Sequence, residues 1–262
     1  MKYARTFSAM VLLTVYLMAC SDSTGPAAQD FEWSGQVAAG NQIEIKGVNG
    51  TVRASRTSGS RVEVTARRSG DQDDPSQVEI EVVQHAEGVT ICAVYPDVPG
   101  EPPNECAPGD LGQMTVRDND VTVTFTVNVP AGVVFVGATV NGNVEVTDLA
   151  SDAILATVNG NVTVSTTRHA TAAAVNGSIL AAIGLADWDR DLAFATVNGD
   201  VAVVIPANTN AEVQVGIVNG SFTSDFTLTQ TSPGAWQGTL GIGGRNLSLA
   251  TVDGDVTLSA GS

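Results

Sequence analysis

Aromatic and basic side chains are scarce in this chain. Aromatic residues make up only 5% of its 262 residues, so a core must be built mainly from Val, Ile, Leu and Ala. The 12 Lys and Arg residues face 28 Asp and Glu residues, for a net charge of −16. Because nucleic-acid binding depends on basic side chains that release phosphate counterions, this balance excludes a nucleic-acid partner.

Sequence signatures of common enzymes are also missing. The chain has no Gly-x-Ser-x-Gly, P-loop or His-Glu-x-x-His motif. Its two histidines, His85 and His169, lie far apart, and the adjacent acid pair Asp73-Asp74 sits in a hydrophilic turn. We therefore predict a non-enzymatic protein with no cofactor. The alternative is a polysaccharide lyase or hydrolase of β-helical fold, which would need paired acid and base carboxylates.

A short motif that reads Val, Asn or Asp, Gly, small polar and large apolar occurs seven times. Asn-Gly and Asp-Gly readily take positive φ, so each copy predicts a tight corner. Apolar residues alternate after each corner, as expected for a strand with one buried face. The corner pairs are Asn49-Gly50, Asn141-Gly142, Asn159-Gly160, Asn176-Gly177, Asn198-Gly199, Asn219-Gly220 and Asp253-Gly254.

The spacing of the corners predicts stacked units. From Asn141 the intervals are 18, 17, 22, 21 and finally 34 residues, and a period near twenty is typical of repeat architectures. An antiparallel meander of hairpins is the alternative. The copies also share their flanking residues, which favours an all-β solenoid in which equivalent positions stack about 4.8 Å apart. The uneven periods indicate a loose, right-handed parallel β-helix with loops, as at residues 185–191.

The N-terminus reads as a targeting segment. Lys2 and Arg5 precede a short apolar stretch, Phe7 to Leu17, which is too short to span a membrane. The following Leu17-Met18-Ala19-Cys20 resembles a bacterial lipobox, which implies cleavage and lipid attachment at Cys20. Ser21 after the cysteine implies an outer-membrane address. The alternative is a cleaved secretory peptide with an incidental cysteine.

These features divide the chain into segments. We predict a signal peptide (1–19), a flexible tether (20–30), an irregular N-terminal β segment (31–120) and regular solenoid repeats (121–262). Cleavage removes two basic residues and leaves a net charge of −18, so acyl chains and not a basic patch must provide membrane attachment. The last copy lies almost at the C-terminus without an obvious cap, which predicts self-association through an open solenoid end.

Cys92 and Cys106 form an even pair in an exported chain, so a disulfide is predicted. It closes a proline-rich loop that includes Pro96 to Asn104, and this closure should add about 3 kcal/mol of stability. The spacing does not match the Cys-x-x-Cys pattern of redox or metal sites.

Three further groups of residues have two interpretations each. Asp187, Asp189 and Asp191 alternate as the first ligands of a calcium loop do, although its Gly and distal Glu are missing; a solvated bulge with Arg190 paired locally is the alternative. The tryptophans either form a sugar-stacking platform or cover core edges: Trp33, Trp188 and Trp236. The corner Asn residues could be ligands, but a buried or semi-buried amide ladder is favoured.

Together the repeats resemble a bacterial family, the DUF4097-type adhesins, which is related to the head domain of autotransporter adhesins. The resemblance rests on the Thr-Val-Asn-Gly units and the step Val129-Pro130-Ala131-Gly132, and it covers Phe31 to Ser259. It implies a β-solenoid in the cell envelope with a role in adhesion, and no catalytic residues. The disulfide loop and the 34-residue last interval depart from the family pattern.

From these observations we predict a lipid-anchored envelope protein that presents a rigid, acidic surface, either to a glycan or cell-surface ligand or as an envelope scaffold. An envelope-stress accessory protein with a partner in the membrane is the other non-enzymatic alternative.

Overall fold

The structure is a computed structural model that describes residues 30–261. The signal peptide, the lipobox and Cys20 lie outside the described residues. A short 3-10 helix, Pro75–Gln77, is the one helical turn between residues 30 and 261, and within that range no helix is long and apolar enough to cross a membrane.

The first half of the described chain contains β1 (Phe31–Gly35), β2 (Gln42–Lys46), β3 (Val52–Arg56), β4 (Val62–Ser69), β5 (Glu79–His85), β6 (Gly88–Val94), β7 (Glu105–Cys106), β8 (Gly112–Gln113), β9 (Thr122–Val129), β10 (Val134–Asn141) and β11 (Val144–Leu149). The second half contains β12 (Ala153–Asn159), β13 (Val162–Thr166), β14 (Ala170–Asn176), β15 (Ile179–Ile183), β16 (Leu192–Ala195), β17 (Val201–Pro206), β18 (Ala211–Asn219), β19 (Phe222–Ser224), β20 (Thr229–Ser232), β21 (Ala235–Leu240), β22 (Arg245–Asp253) and β23 (Val256–Gly261).

Two large sheets contain nearly all of these strands. Sheet A has the order β1-β4-β9-β3-β11-β13-β15-β17-β23-β19. Sheet B has the order β20-β21-β18-β22-β16-β14-β12-β10-β2-β6-β5. Most neighbours are parallel, and antiparallel strands occur toward the ends of both sheets.

One repeat is one coil with a strand in each sheet. The chain crosses from sheet B to sheet A at each Val-Asn-Gly corner, and the strands then pair in register with those of the neighbouring coil, so that Val144 lies opposite Val162 and Val52. The strands that flank a corner do not pair with each other, so the hairpin alternative is wrong and the predicted solenoid is confirmed. Its handedness stays a prediction.

The core lies between the two sheets. Alternate residues of sheet A point inward, and one column is buried almost completely along the whole stack: Val52, Val144, Val162, Ile179, Val201 and Val256. Sheet B supplies Leu155, Phe194 and Leu249 from the other side. Full burial of such a side chain contributes about 1.5–3 kcal/mol. The predicted aliphatic core with few aromatic rings is present.

The coils do not stack in chain order. β22 lies between β16 and β18, and β23 lies between β17 and β19, so the last copy of the repeat is inside the stack. The prediction that this copy forms an open end is therefore wrong. The 34-residue interval explains the difference, because it contains β20 and β21, which extend sheet B beyond β18 before the chain returns.

Strands from the N-terminal segment join the same body. β2 and β3 form a coil whose strands pair in parallel with β10 and β11. The hairpin of β5 and β6 continues sheet B, whereas β9, β4 and β1 continue sheet A. The division of the chain at residue 120 stays a prediction.

Candidate interaction surface

The corner glycines are required by close approach between coils. A Cβ atom built on Gly142 would lie 2.1 Å from the carbonyl oxygen of Gly50, and one on Gly160 would lie 2.0 Å from that of Gly142. Six of the seven corner glycines have the predicted positive φ, from 119° at Gly50 to 158° at Gly160, whereas Gly142 does not. Turn conformation therefore favours glycine at six corners, whereas contact between coils is the reason at Gly142. No local sequence pattern indicates this contact.

The corner asparagines form the predicted amide ladder. Each Nδ2 group donates to the Oδ1 atom of the preceding coil, at 2.9 Å from Asn141 to Asn49 and 2.8 Å from Asn159 to Asn141. The ladder continues through Asn176 and Asn198 at 2.8 Å. It lies mostly at the surface, since nearly every member after Asn49 is exposed. The predicted burial is wrong because the side chains point away from the two-sheet core.

Asp253 interrupts this ladder. Asn219 donates to its Oδ1 atom at 2.7 Å. A carboxylate has no N–H group to offer in turn to Asn198, its neighbour on the other side. The step between these two coils therefore lacks this rung of the ladder and is held by other bonds, such as Gly199 N to Asp253 O at 2.9 Å.

The threonine that opens many of the repeats has a structural role that the sequence analysis missed. Thr157 is only 4% exposed, and its hydroxyl donates to the carbonyl oxygen of Gly142 at 2.8 Å. Thr139, Thr196 and Thr251 make the equivalent bond to Gly50, Gly177 and Gly199. The valine after the threonine consequently points outward, and Val158 is 38% exposed.

A further row of side chains follows the corner glycines. Asn161 Oδ1 accepts the amide of Ser178 at 2.8 Å, and Asp200 Oδ1 accepts the amide of Asp255 at 2.8 Å. The amide and hydroxyl of Ser221 both donate to Asp255, and they hold the pKa of that carboxyl below its ordinary value. These acids act as fixed acceptors for backbone groups.

The disulfide loop covers the outer face of sheet B at one end. Cys92 and Cys106 are bonded, as predicted. Lys46 Nζ donates to the carbonyl of Ala107 at 2.6 Å, to that of Leu111 at 3.2 Å, and to that of Gly109.

Glu44, beside Lys46 on the same face, is buried beneath this loop. It accepts the hydroxyl of Thr90 at 2.6 Å and the amide of Gly109 at 3.1 Å. Polar contacts and a covalent bond thus hold the loop against the sheet.

Between the loop and the sheet lies a mainly apolar cavity of about 240 Å³. Leu111 and Met114 of the loop face Val48, Ala138 and Val140 of the sheet across it. The cavity opens beside the row of outward valines. It has room for a small apolar group.

The acidic bulge does not assemble a metal site. Asp187 accepts Asn210 Nδ2 at 2.8 Å, Asp189 pairs with Arg190 at 3.1 Å, and Asp191 accepts the amide of Asn246 at 3.0 Å. The three carboxylates thus have separate partners, and no group of three metal-ligating side chains occurs in the part of the chain that the structure describes.

The carboxylates near His169, at the edge opposite the corners, form ion pairs. Asp152 lies 3.2 Å from His169 Nδ1 and pairs with Arg168 at 3.1 Å and with Arg190 at 3.5 Å. The hydrogen bond from Arg190 lowers the pKa of Asp189. Arginines contact both Asp152 and Asp189, so the cluster is arranged as a network of ion pairs.

The three tryptophans lie on separate elements. Trp188 is 8% exposed in the 185–191 loop and donates to the carbonyl of Leu185 at 2.8 Å. Trp236 of β21 packs against Phe222, with ring centroids 5.1 Å apart. Trp33 is half-buried on β1, near the other end of the stack. The structure does not bring them together as a platform.

The stacked repeats are similar to those of a known protein family. The family model described as Toastrack DUF4097 matches residues 109–259, more than half of the chain. The chain belongs to the Toastrack DUF4097 family. The matched range contains all of the Val-Asn-Gly corners except Asn49-Gly50. No curated protein matches the sequence.

Solved structures of other bacterial proteins align with most of this chain. A candidate cell adhesion protein from Clostridium sporogenes has 8% identity and a TM-score of 0.49, and the match covers 89% of this chain and all of that one. A candidate adhesin from Bacteroides fragilis has 10% identity and a TM-score of 0.33, with 90% and 98% of the two chains covered. These sequence identities and TM-scores are too low to assign a role to this chain.

Proposed function

We propose that this Toastrack protein is a non-enzymatic, lipid-anchored component of the bacterial outer envelope that acts as an adhesin-like scaffold. The observation that carries the proposal is the stack itself. Side-chain ladders and backbone bonds tie neighbouring coils together at every corner, so the outer faces form long, rigid surfaces. Membership of the Toastrack DUF4097 family supports the same reading.

The state of the carboxyl groups supports a non-enzymatic role. Among the described residues, every carboxyl with a shifted pKa has it lowered: Asp74, Asp120, Asp189, Asp191 and Asp255. Hydrogen bonds from amides, hydroxyls and Arg190 are the main cause. A general acid that works near neutral pH needs a raised pKa. Lowered values suit carboxylates that hold backbone groups in place.

Protease accessibility on intact cells tests the location. The wild-type protein should be shaved from the surface, and a Cys20→Ala variant should be lost from the membrane fraction. Protection of the wild type until the outer membrane is opened would contradict surface adhesion and would support a periplasmic scaffold or an envelope-stress accessory protein. Unchanged membrane retention of Cys20→Ala would contradict the lipid anchor.

Ligand binding tests the activity. We expect the purified protein to bind glycans or host-cell surfaces without turnover, measured with a glycan array and reducing-end analysis of the bound sugars. Cleavage of a polysaccharide that disappears in an Asp or Glu variant would contradict the non-enzymatic proposal.

A further inference from the structure

The outer face of sheet B is uncharged over five neighbouring strands. Outward residues of β10, β12, β14, β16 and β22 align in three columns that extend to the corners. We call these three columns together the apolar face. Among the residues that the structure describes, no charged side chain occupies these columns. They contain Ala138, Ala156, Ala173, Ala195 and Ala250; Val140, Val158, Val175, Val197 and Val252; and Val136, Ile154, Thr171, Ala193 and Ser248.

Much of the apolar face is open to solvent. The valine column is 38–40% exposed along its length, and Ile154 is 44% exposed. The outer face of sheet A is more polar: Arg53 and Glu145 form an ion pair there at 2.9 Å, and Thr163, Ser165, Thr257 and Ser259 follow in the later coils. A continuous uncharged face of this kind, in a chain with strong net negative charge, is typical of an interaction site.

The chain itself covers the beginning of this face. The disulfide loop lies over Glu44 and Lys46 of β2, and its Leu111 and Met114 approach Ala138 and Val140 across the cavity. Sheet B therefore already accepts an apolar second layer at one end. From β12 to β22 the described residues provide no such layer.

Three other occupants fit the apolar face poorly. The predicted tether, residues 20–30, has no large apolar side chain and precedes β1 of sheet A. A membrane surface favours aromatic and basic side chains, and the face has neither. A glycan needs aromatic rings for stacking or many polar groups, which are also lacking.

We propose that two copies of this protein pair through the apolar face, with a two-fold axis near Ala173, which is at the centre of the alanine column. An axis there places the small alanines of the two copies opposite each other, so the two sheets can approach to the packing distance of about 10 Å. Both surfaces are uncharged, so no buried charge is left without a partner.

The area of the apolar face determines the expected affinity of the dimer. Five strands about 4.8 Å apart and five residues of about 3.3 Å give roughly 400 Å² per copy, or about 800 Å² in total. This is below the range of stable complexes and indicates a weak, reversible dimer. Because each copy is strongly acidic, added salt screens the repulsion and strengthens the pair.

Sedimentation equilibrium of the full chain with Cys20→Ala, over a range of protein and salt concentrations, tests this proposal. We expect a dimer that tightens with salt and weakens at least about tenfold in Ala173→Glu. The matched control is Ala182→Glu, which lies in the same coil but on the outer face of sheet A and should behave like the parent. A monomer under all conditions, or equal effects of the two variants, would overturn the proposal.

Cysteine cross-linking supplies a second readout that does not depend on affinity. Under mild oxidation Ala173→Cys should form linked dimers, whereas Ala182→Cys should not. Equal linkage in both variants would overturn the dimer. If the parent protein is a monomer and Ala173→Glu abolishes its binding to vesicles or glycans, the face belongs to that other partner and the dimer is likewise overturned.

Discussion

Replacement of Gly142 by alanine should show that contact between coils, in addition to turn conformation, constrains the glycine of the Val-Asn-Gly motif. In Gly142→Ala the new Cβ atom would lie 2.1 Å from the carbonyl oxygen of Gly50, so the backbones of two coils must separate. Such overpacking costs about 1–3 kcal/mol.

The separation also weakens hydrogen bonds between these two coils. The amide of Gly50 donates to Asn141 O at 2.8 Å, and the carbonyl of Gly50 accepts the Thr139 hydroxyl at 3.0 Å. Each such bond contributes about 1 kcal/mol. We therefore expect Gly142→Ala to lower the free energy of unfolding by about 2–4 kcal/mol, which corresponds to a fall in Tm of at least about 4 °C for a chain of this size.

Two other glycines supply matched controls. A Cβ atom on Gly216 meets nothing within 4 Å, so Gly216→Ala should change stability by less than about 0.5 kcal/mol. Gly40 also has open space but a φ of 88°, so Gly40→Ala should report the cost of backbone conformation alone, about 1 kcal/mol. Urea unfolding followed by circular dichroism measures all three. The reasoning is refuted if Gly142→Ala unfolds at the same urea concentration as Gly216→Ala.

Three further predictions concern stability. The double variant Cys92→Ser/Cys106→Ser should lose about 3 kcal/mol in urea unfolding, because the disulfide closes the loop over sheet B; unchanged stability would contradict this. Asp253→Asn should gain about 0.5–1 kcal/mol by supplying the missing donor to Asn198, and a loss would show that the ladder does not continue through this coil. Amides of Asp71, Gln72 and Asp73 donate to Asp120 and hold its pKa below the ordinary 3.8, so its contribution is present above about pH 4 and is lost as pH falls through the folded-state value. Thermal melts between about pH 5 and pH 2 should therefore fall less steeply for Asp120→Asn than for the parent, and parallel curves would be evidence against this role.

The sequence contains enough information to predict the coil. Asn-Gly corners at a period near twenty, with alternating apolar residues after each, indicate stacked strands, and shared flanks such as Val144 and Val162 favour parallel stacking. The order of the coils could not be derived in this way. Val201 and Val256 are neighbours in sheet A, although the corner Asn219-Gly220 lies between them in the chain. Identical motifs carry no information about which copies touch.

The residues of the apolar face follow a repeated sequence pattern, but the pattern does not indicate which of them point outward. Ala-Thr-Val-Asn-Gly recurs at Ala138, Ala156 and Ala195, and Ala250 begins the same pattern with Asp253 in place of Asn. Hydrophobicity alone predicts that the valine points inward and the threonine outward. The structure has the reverse, because the threonine hydroxyl is satisfied by a glycine carbonyl in the neighbouring coil. That carbonyl belongs to a distant part of the sequence, so the bond could not be foreseen from the local pattern.

The face exists as one surface only if β22 lies beside β16, and a pair of cysteines tests this directly. Neighbouring strands are about 4.8 Å apart, within the Cα–Cα range of a disulfide, whereas strands two positions apart are about 9.6 Å apart and outside it. The double variant Val197→Cys/Val252→Cys should therefore form an intramolecular disulfide under mild oxidation, whereas Val197→Cys/Val218→Cys should not. Bonding of the second pair and not the first would mean that the coils stack in chain order, which would contradict the arrangement described here.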